Sequence, residues 1–143
     1  MKIKRILLLS LLRWLNAQGL KGVHSRKRTN FISKYRDEIN NTENFRTNLV
    51  SLKAKKDEQG NFVVLTDELG RKNYDISEED QKAIATQLEQ YLHTEIDIPT
   101  SGKENKTLVE FIANLVSKTN YEFKGKEADD YNEWMNIFEE YFH

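Results

Sequence analysis

The side chains that could carry out chemistry in this sequence are few and lie far apart. There is no cysteine, and the three histidines are His24, His93 and His143. Without cysteine, a thiolate nucleophile and a cysteine-ligated metal site are excluded, and isolated histidines lack the paired spacing of zinc or iron ligands. The six glycines are scattered and form no phosphate-binding loop. We therefore predict a protein that is not an enzyme, with no catalytic residue, no cofactor and no metal.

Charged residues are more informative, because they are unevenly distributed. The chain has 22 Lys+Arg and 23 Asp+Glu, yet its first 36 residues contain ten basic residues and no carboxylate. Five of the basic residues are candidates for binding a partner: Arg26, Lys27, Arg28, Lys34 and Arg36. Phe31 and Tyr35 lie between them, and basic groups with interleaved aromatic rings can follow a nucleic-acid backbone and stack on bases. The same surface can instead dock an acidic protein or a membrane surface, or lie against the protein's own acidic last helix.

The last predicted helix, near residues 127–142, offers a surface of opposite charge. Its acidic side contributes three further candidates for partner binding: Asp129, Asp130 and Glu133. Such a surface can mimic the phosphate charges that a nucleic-acid enzyme recognises, and a solvated charged face is the alternative explanation. The aromatic residues on the opposite side of this helix are expected in the core.

An apolar helix is predicted for residues 1–20. Apolar side chains cover nearly every side of it, so it must be buried in the domain or against another chain. Its candidate oligomer-interface residues are Leu8, Leu12 and Trp14. The apolar run is far shorter than the roughly 20 residues of a membrane span. Arg13 interrupts the run and no small-residue cleavage site follows, which favours a retained helix and a cytoplasmic protein over a secretory signal peptide.

Hydrophobic periodicity predicts the remaining elements of a single domain over residues 1–143. In chain order they are a basic helix or two collinear helices at 25–56, a β-hairpin at 61–76 and a helical part at 77–143. Ser25 is the expected N-cap of the basic helix, and 40–42 is where it would break if there are two helices. Ser77 is the expected N-cap of the helix after the hairpin, and turns are expected at 57–61 and 67–70. A strand at 95–98 is expected beside the hairpin. The predicted fold class is α+β, mainly helical, with four to five helices and a small antiparallel β-hairpin or three-stranded sheet.

Several stretches of the chain also carry a family resemblance. They are Gly-Leu-Lys-Gly at 19–22, Ser-Arg-Lys-Arg-Thr-Asn-Phe-Ile at 25–32, the Asp/Gly turns of the hairpin, and residues 122–134. In these stretches the sequence resembles a family of small uncharacterised proteins encoded by bacteriophages and prophages of Gram-positive bacteria. The resemblance implies a phage-derived protein of the host cytoplasm, and it assigns no activity and no functional residue.

Three functional hypotheses follow. The first is a non-enzymatic phage accessory protein that binds another protein, and so inhibits or modulates a host defence or nucleic-acid-processing factor. The second is a nucleic-acid-binding accessory protein that uses the basic segment 21–36. The third is a structural or assembly component of the phage particle, a homo-oligomer formed through the N-terminal helix. We predict the first, with a host or phage protein as the partner.

Overall fold

The structure of the protein is a computed structural model that describes residues 1–142. Over that range the chain forms six α-helices and four short β-strands. In order they are β1 (Lys2–Lys4), α1 (Arg5–Ala17), α2 (Gly22–Lys34), α3 (Arg36–Lys53), β2 (Val64–Thr66), β3 (Lys72–Tyr74), α4 (Glu78–Leu92), β4 (Glu95–Asp97), α5 (Lys103–Ser117) and α6 (Lys126–Phe142). Helices dominate and the strands pair antiparallel, which confirms the α+β class. Among these helices, none combines the length and apolarity that crossing a membrane requires.

The chain divides into two units. The first contains Met1–Ile39 together with the chain from His93 onward, and the second contains Asn40–Leu92. Helix α3 begins in the first unit and ends in the second, so one of the two boundaries falls within a helix. Helices α2, α5 and α6, which carry the candidate binding residues, belong to the first unit.

The core of the first unit is built around α1. This helix contacts α2 and α6, and α5 also contacts α2 and α6, so the four helices pack in a closed ring. Leu8, Leu11 and Leu15 of α1 are 0% exposed. Full burial of a leucine side chain stabilises a protein by about 1.5–3 kcal/mol. The enclosure of α1 explains why a short helix carries apolar residues on nearly every side.

Strand β1 occupies the first residues of the predicted N-terminal helix. It pairs antiparallel with β4, with Ile3 opposite Ile96. The strand predicted near 95–98 therefore exists, but it pairs with the N-terminal segment and not with the hairpin. The alternation of lysine and isoleucine in β1 suits this role, because it buries Ile3 and leaves both lysines exposed.

Two helices, not one, occupy the predicted basic segment. Tyr35 separates α2 from α3, with φ −112° and ψ 12°. Its side chain is 9% exposed, and its ring centre lies 5.0 Å from that of Phe31. The break lies at Tyr35 and not at 40–42, which α3 crosses without interruption and where Thr42 is 3% exposed. With this break, residues 1–142 form six helices, more than the four to five predicted.

The two predicted N-caps have different outcomes. Helix α2 begins at Gly22, before Ser25, so the cap predicted at Ser25 is wrong. Gly22 has φ +54°, a conformation that glycine adopts at little cost. The cap predicted at Ser77 is confirmed, since its hydroxyl oxygen accepts a 3.1 Å hydrogen bond from the backbone N–H of Asp80 and opens α4.

The second unit contains the predicted hairpin, formed by β2 and β3 with Leu65 opposite Asn73. Two turns of the same Asp-Glu-x-Gly-x pattern precede β2 and connect it to β3. They begin at Asp57 and Asp67, and the Oδ1 atom of each aspartate accepts two backbone N–H hydrogen bonds of 2.9 Å. Both turns are therefore specified locally, as their aspartate and glycine residues predict.

Candidate functional site

Helix α2 carries most of the predicted basic residues, and its packing decides which of them share a surface. Phe31 and Ile32 are buried, at 2% and 9% exposure. Two lysines of α2 extend towards α5. Lys27 Nζ lies 5.4 Å from the ring centre of Phe111, and Lys34 Nζ donates a 2.8 Å hydrogen bond to Asn105 Oδ1. The structure therefore brings Lys27 and Lys34 together on the side of α2 that faces α5.

An open groove of about 750 Å³ lies between α2 and α5. We call it the basic groove, because its charged lining is three lysines and one glutamate: Lys27, Lys34, Lys103 and Glu104. Neutral residues complete the lining: Asn30, Ser33, Thr107 and Leu108. Lysine side chains bury their methylene stems along such a surface and leave the ammonium group in water. The groove thus combines a net positive charge with the apolar surface of Leu108 and of the lysine stems.

Lys103 is the lysine of the groove that the sequence analysis missed. It is the first residue of α5 and follows Gly102, which has φ +83° and provides no side-chain cap. The exposed N–H groups of a helix start carry a partial positive charge, which adds to that of the lysines. The only sequence feature that could have indicated Lys103 is its position at the start of a clearly amphipathic helix. Nothing in the sequence indicates that this helix packs beside α2.

The three arginines among the predicted basic residues do not line the basic groove. Arg26 and Arg36 are exposed elsewhere on the surface. Arg28 is half-buried and donates hydrogen bonds to the backbone carbonyl oxygen of Gln18 and to the hydroxyl of Ser25. Arg28 therefore holds the connector between α1 and α2, which is a structural role.

Of the three predicted acidic residues of α6, two border different depressions and the third borders neither of these. Asp130 forms an ion pair of 3.2 Å with Lys126 and borders a pocket beside Trp14. Glu133 borders a separate groove of about 590 Å³ beside β1. Asp129 is exposed and borders neither of them. The structure thus does not gather the three acidic residues around one depression.

The basic and acidic segments do not neutralise each other through ion pairs. Among residues 1–142, no ion pair joins a basic residue of 21–36 to a carboxylate of α6. Within residues 1–142, Arg5 and Glu38 form an ion pair between distant parts of the first unit. The explanation that the basic segment is internally compensated therefore lacks the contacts that it requires.

The three residues predicted at an oligomer interface lie in the protein's own core. Leu8, Leu12 and Trp14 are 0%, 2% and 6% exposed. The partners that cover α1 belong to the same chain, chiefly α2 and α6. These side chains are therefore not available to a second copy, and an oligomer would have to use other residues.

The titratable residues that the structure describes form no metal centre. Within residues 1–142, no group of three or more His, Asp or Glu side chains could hold a metal ion. Burial raises the pKa of the Tyr35 hydroxyl, which keeps that side chain neutral in the core. The surface with the clearest binding chemistry is therefore the basic groove.

Comparison with protein-family models, curated proteins and solved structures gives no significant match.

Proposed function

We propose that this protein acts by binding another protein, and that the basic groove receives an acidic segment of that partner. The observation that supports this proposal is the net positive charge of one groove, whose lining contains Lys27, Lys34 and Lys103 and a single carboxylate, that of Glu104. Carboxylates of a partner would pair with the three ammonium groups, and apolar side chains beside them would cover Leu108. Exposed ion pairs contribute little affinity each, so the charges serve mainly to select and orient the partner.

A protein segment fits this groove better than a nucleic acid does. The part of α2 that lines it, residues 27–34, is roughly 10 Å long at 1.5 Å per residue. The two aromatic rings that could have stacked on bases, Phe31 and Tyr35, are 2% and 9% exposed, so they offer no stacking platform. The groove therefore provides a short positive contact and lacks the aromatic partners that single-stranded nucleic acids use.

The resemblance to phage proteins stays a prediction. Under that prediction, the partner is a host defence or nucleic-acid-processing protein, and binding at the basic groove inhibits or modulates it. Assembly into a phage particle through α1 is the less favoured alternative, because the interface residues proposed for it are buried in the chain.

The proposal is tested by comparing two triple variants in a capture experiment from the lysate of a Gram-positive host. The groove variant is Lys27→Glu, Lys34→Glu and Lys103→Glu. The control variant is Lys21→Glu, Arg26→Glu and Lys118→Glu, which changes the net charge equally at exposed positions outside the groove. We expect the wild type and the control variant to enrich the same protein, and the groove variant to lose it.

Two further measurements separate the alternatives. Direct binding to a fluorescent polyglutamate peptide is expected for the wild type and the control variant, and binding should weaken as salt is added. Capture that disappears after nuclease treatment, or gel shifts at low salt that the groove variant loses, would support the nucleic-acid alternative. Equal capture by both triple variants would reject the basic groove as the binding surface.

A further inference from the structure

The hairpin of the second unit leaves one edge of β2 uncovered. Residues 61–67 pair first with residues 55–57 and then with β3. The backbone N–H of Val63 donates a 2.9 Å hydrogen bond to Lys55, and that of Asp67 donates one of 2.9 Å to Arg71. All of these hydrogen bonds are made by odd-numbered residues of the segment, so both partners lie on the same side of it.

The even-numbered residues of this segment point the other way. In an antiparallel ladder, the residues that bond to one neighbour alternate with residues whose N–H and C=O face the opposite edge. Those residues are Phe62, Val64 and Thr66, and their backbone groups make no hydrogen bond within residues 1–142. We call this side of residues 62–66 the β2 edge.

The β2 edge lacks the charges that usually protect an exposed strand. Natural proteins place lysine, other charged residues or proline on such edges, and so prevent them from pairing with another chain. Over residues 1–142, the other three strands each contain at least one charged residue, whereas β2 reads Val-Leu-Thr. The uncharged stretch extends over residues 61–66. Nothing in its charge therefore opposes the addition of another strand.

Apolar side chains lie beside the β2 edge on both faces of the hairpin. Val64 is 49% exposed, and Tyr74 lies opposite it on β3 with 47% exposure. The ring centre of Tyr74 is 4.9 Å from that of Phe62, so these three side chains share one face. Leu65 is 51% exposed and belongs to the other face. An added strand would cover apolar surface on each face as well as bond to the backbone.

We propose that the β2 edge binds a second copy of this chain, through antiparallel pairing of residues 62–66 with the same residues of that copy. Val64 lies opposite Val64 of the second copy, and Phe62 lies opposite its Thr66. Each of these bonded pairs exchanges two hydrogen bonds, which gives about six across the interface. Between them, Val63 packs against Leu65 of the second copy.

The argument for a second copy is that the β2 edge is complementary to itself. A two-fold axis pairs an antiparallel edge with its own image, so every outward backbone group finds an outward partner. Like charges directly opposite each other are destabilising, and identical edges that carry charge near their centre suffer from this. The β2 edge avoids it, because residues 61–66 are uncharged. The pairing also places apolar residues opposite apolar residues on both faces.

This interface is small, so the association is weak. A standard protein interface buries roughly 1,200–2,000 Å², and two short strands bury less than that. We expect a dissociation constant of about 0.1 mM, weaker than that of most standard interfaces. The protein is then a monomer at micromolar concentration and a dimer at millimolar concentration. The pairing uses the second unit alone and does not depend on the basic groove.

Sedimentation equilibrium of the full-length protein from micromolar to millimolar concentration tests the proposal. We expect the average mass of the wild type to rise from 16.9 kDa towards twice that value. Val64→Lys should weaken the association about tenfold or more, since it places two lysines directly opposite each other. Val23→Lys is the control, because it makes the same change at a side chain that is 66% exposed in the first unit.

Hydrogen exchange of the wild-type amides identifies the surface without any variant. The amides of Val64 and Thr66 should exchange rapidly at micromolar concentration and become protected at millimolar concentration. The amide of Leu65 should be protected at both, because it already bonds within the hairpin. In a mixture of labelled and unlabelled protein, an intermolecular contact between the Hα atoms of Val63 and Leu65 would identify the register.

Three results would overturn the proposal. A mass of 16.9 kDa that persists to millimolar concentration would mean that the β2 edge does not bind its own copy, and would leave it to a strand of another protein. Association that Val64→Lys and Val23→Lys leave equally strong would place the interface elsewhere. Association without new protection of Val64 and Thr66 would mean that side chains, and not the strand edge, form the contact.

Discussion

The indole Nε1–H of Trp134 donates a 3.1 Å hydrogen bond to the backbone carbonyl oxygen of Leu7, across a sequence separation of 127 residues. This contact joins the last helix of the chain to the first one. Both partners are buried, with Trp134 2% and Leu7 8% exposed. A hydrogen bond in such a setting contributes to stability mainly because leaving its partners unpaired is costly.

Trp134→Phe is expected to lower the free energy of unfolding more than Trp14→Phe does. Both changes remove the same part of a buried indole, and only the first breaks a hydrogen bond within the protein. The difference should be about 1 kcal/mol, the net contribution of one such bond. Urea denaturation followed by circular dichroism measures both values. Equal losses would show that the bond to Leu7 contributes nothing.

Leu12→Ala tests whether the apolar helix α1 is core or interface. Because Leu12 is 2% exposed within the chain, we expect Leu12→Ala to lower the free energy of unfolding by about 2–5 kcal/mol. The urea concentration at the midpoint of unfolding should not depend on protein concentration. Leu52→Ala is the control, since that side chain is 81% exposed and the change should alter stability by less than about 0.5 kcal/mol. A midpoint that rises with protein concentration would restore the oligomer hypothesis.

Lys103→Ala and Arg26→Ala distinguish the basic groove from basic charge in general. Lys103 lines the groove, whereas Arg26 was predicted from the sequence and lies outside it. We expect Lys103→Ala to weaken binding of the polyglutamate peptide about two- to fivefold, the range of one exposed ion pair, and Arg26→Ala to leave it unchanged. Fluorescence anisotropy at low salt gives both dissociation constants. If Arg26→Ala weakened peptide binding and Lys103→Ala did not, the binding surface would be the exposed side of α2.

Arg28→Ala is expected to affect stability and not binding at the basic groove. The Arg28 side chain donates to the carbonyl oxygen of Gln18 and to Ser25, and it is absent from the lining of the groove. Loss of these hydrogen bonds should cost about 1–2 kcal/mol. Denaturation and peptide binding are measured on the same preparation. A fall in peptide affinity without a fall in stability would contradict this assignment.

The turn at Asp67 is expected to weaken in acid. The backbone N–H of Arg71, followed by its side chain and the backbone N–H of Leu69, holds the pKa of the Asp67 carboxyl below its ordinary value. A carboxylate with a lowered pKa contributes stability that is present above its ordinary pKa and is lost as pH falls through the folded value. The amide shifts of Leu69 and Arg71 should follow that titration.

Asp67→Asn provides the control for this titration. Asparagine keeps an Oδ1 acceptor for the two backbone N–H groups and removes the ionisable group. In this variant the amide shifts of Leu69 and Arg71 should no longer respond to acid over the same interval. If they titrate as in the wild type, another carboxylate is responsible.

Local features of the fold were predictable from the sequence, because nearby residues specify them. The Ser77 cap and the turns at Asp57 and Asp67 depend on short-range hydrogen bonds, and each was expected from its residue types. The pairing of β1 with β4 was not predictable, because it joins segments more than ninety residues apart. The break at Tyr35 was also missed, because it depends on where that ring packs.

The candidate binding surface was predictable only in part. Lys27 and Lys34 were identified from charge and spacing, but Lys103 could not be, since no local pattern places α5 beside α2. The position of Phe31 and Tyr35 could not be predicted either. Their spacing suits side chains buried in the core and equally suits exposed rings that stack on bases. Their burial was decided by the helices that surround them.

The sequence by itself determined where most of the helices and turns lie, and that its first 36 residues are basic and free of carboxylates. Those properties depend on residue type and periodicity, which act over a few residues. Only the tertiary structure decided where the charges lie, because that depends on which helices become neighbours. Packing α2 beside α5 assembled the basic groove, and packing α1 beside α6 buried the indole rings of Trp14 and Trp134.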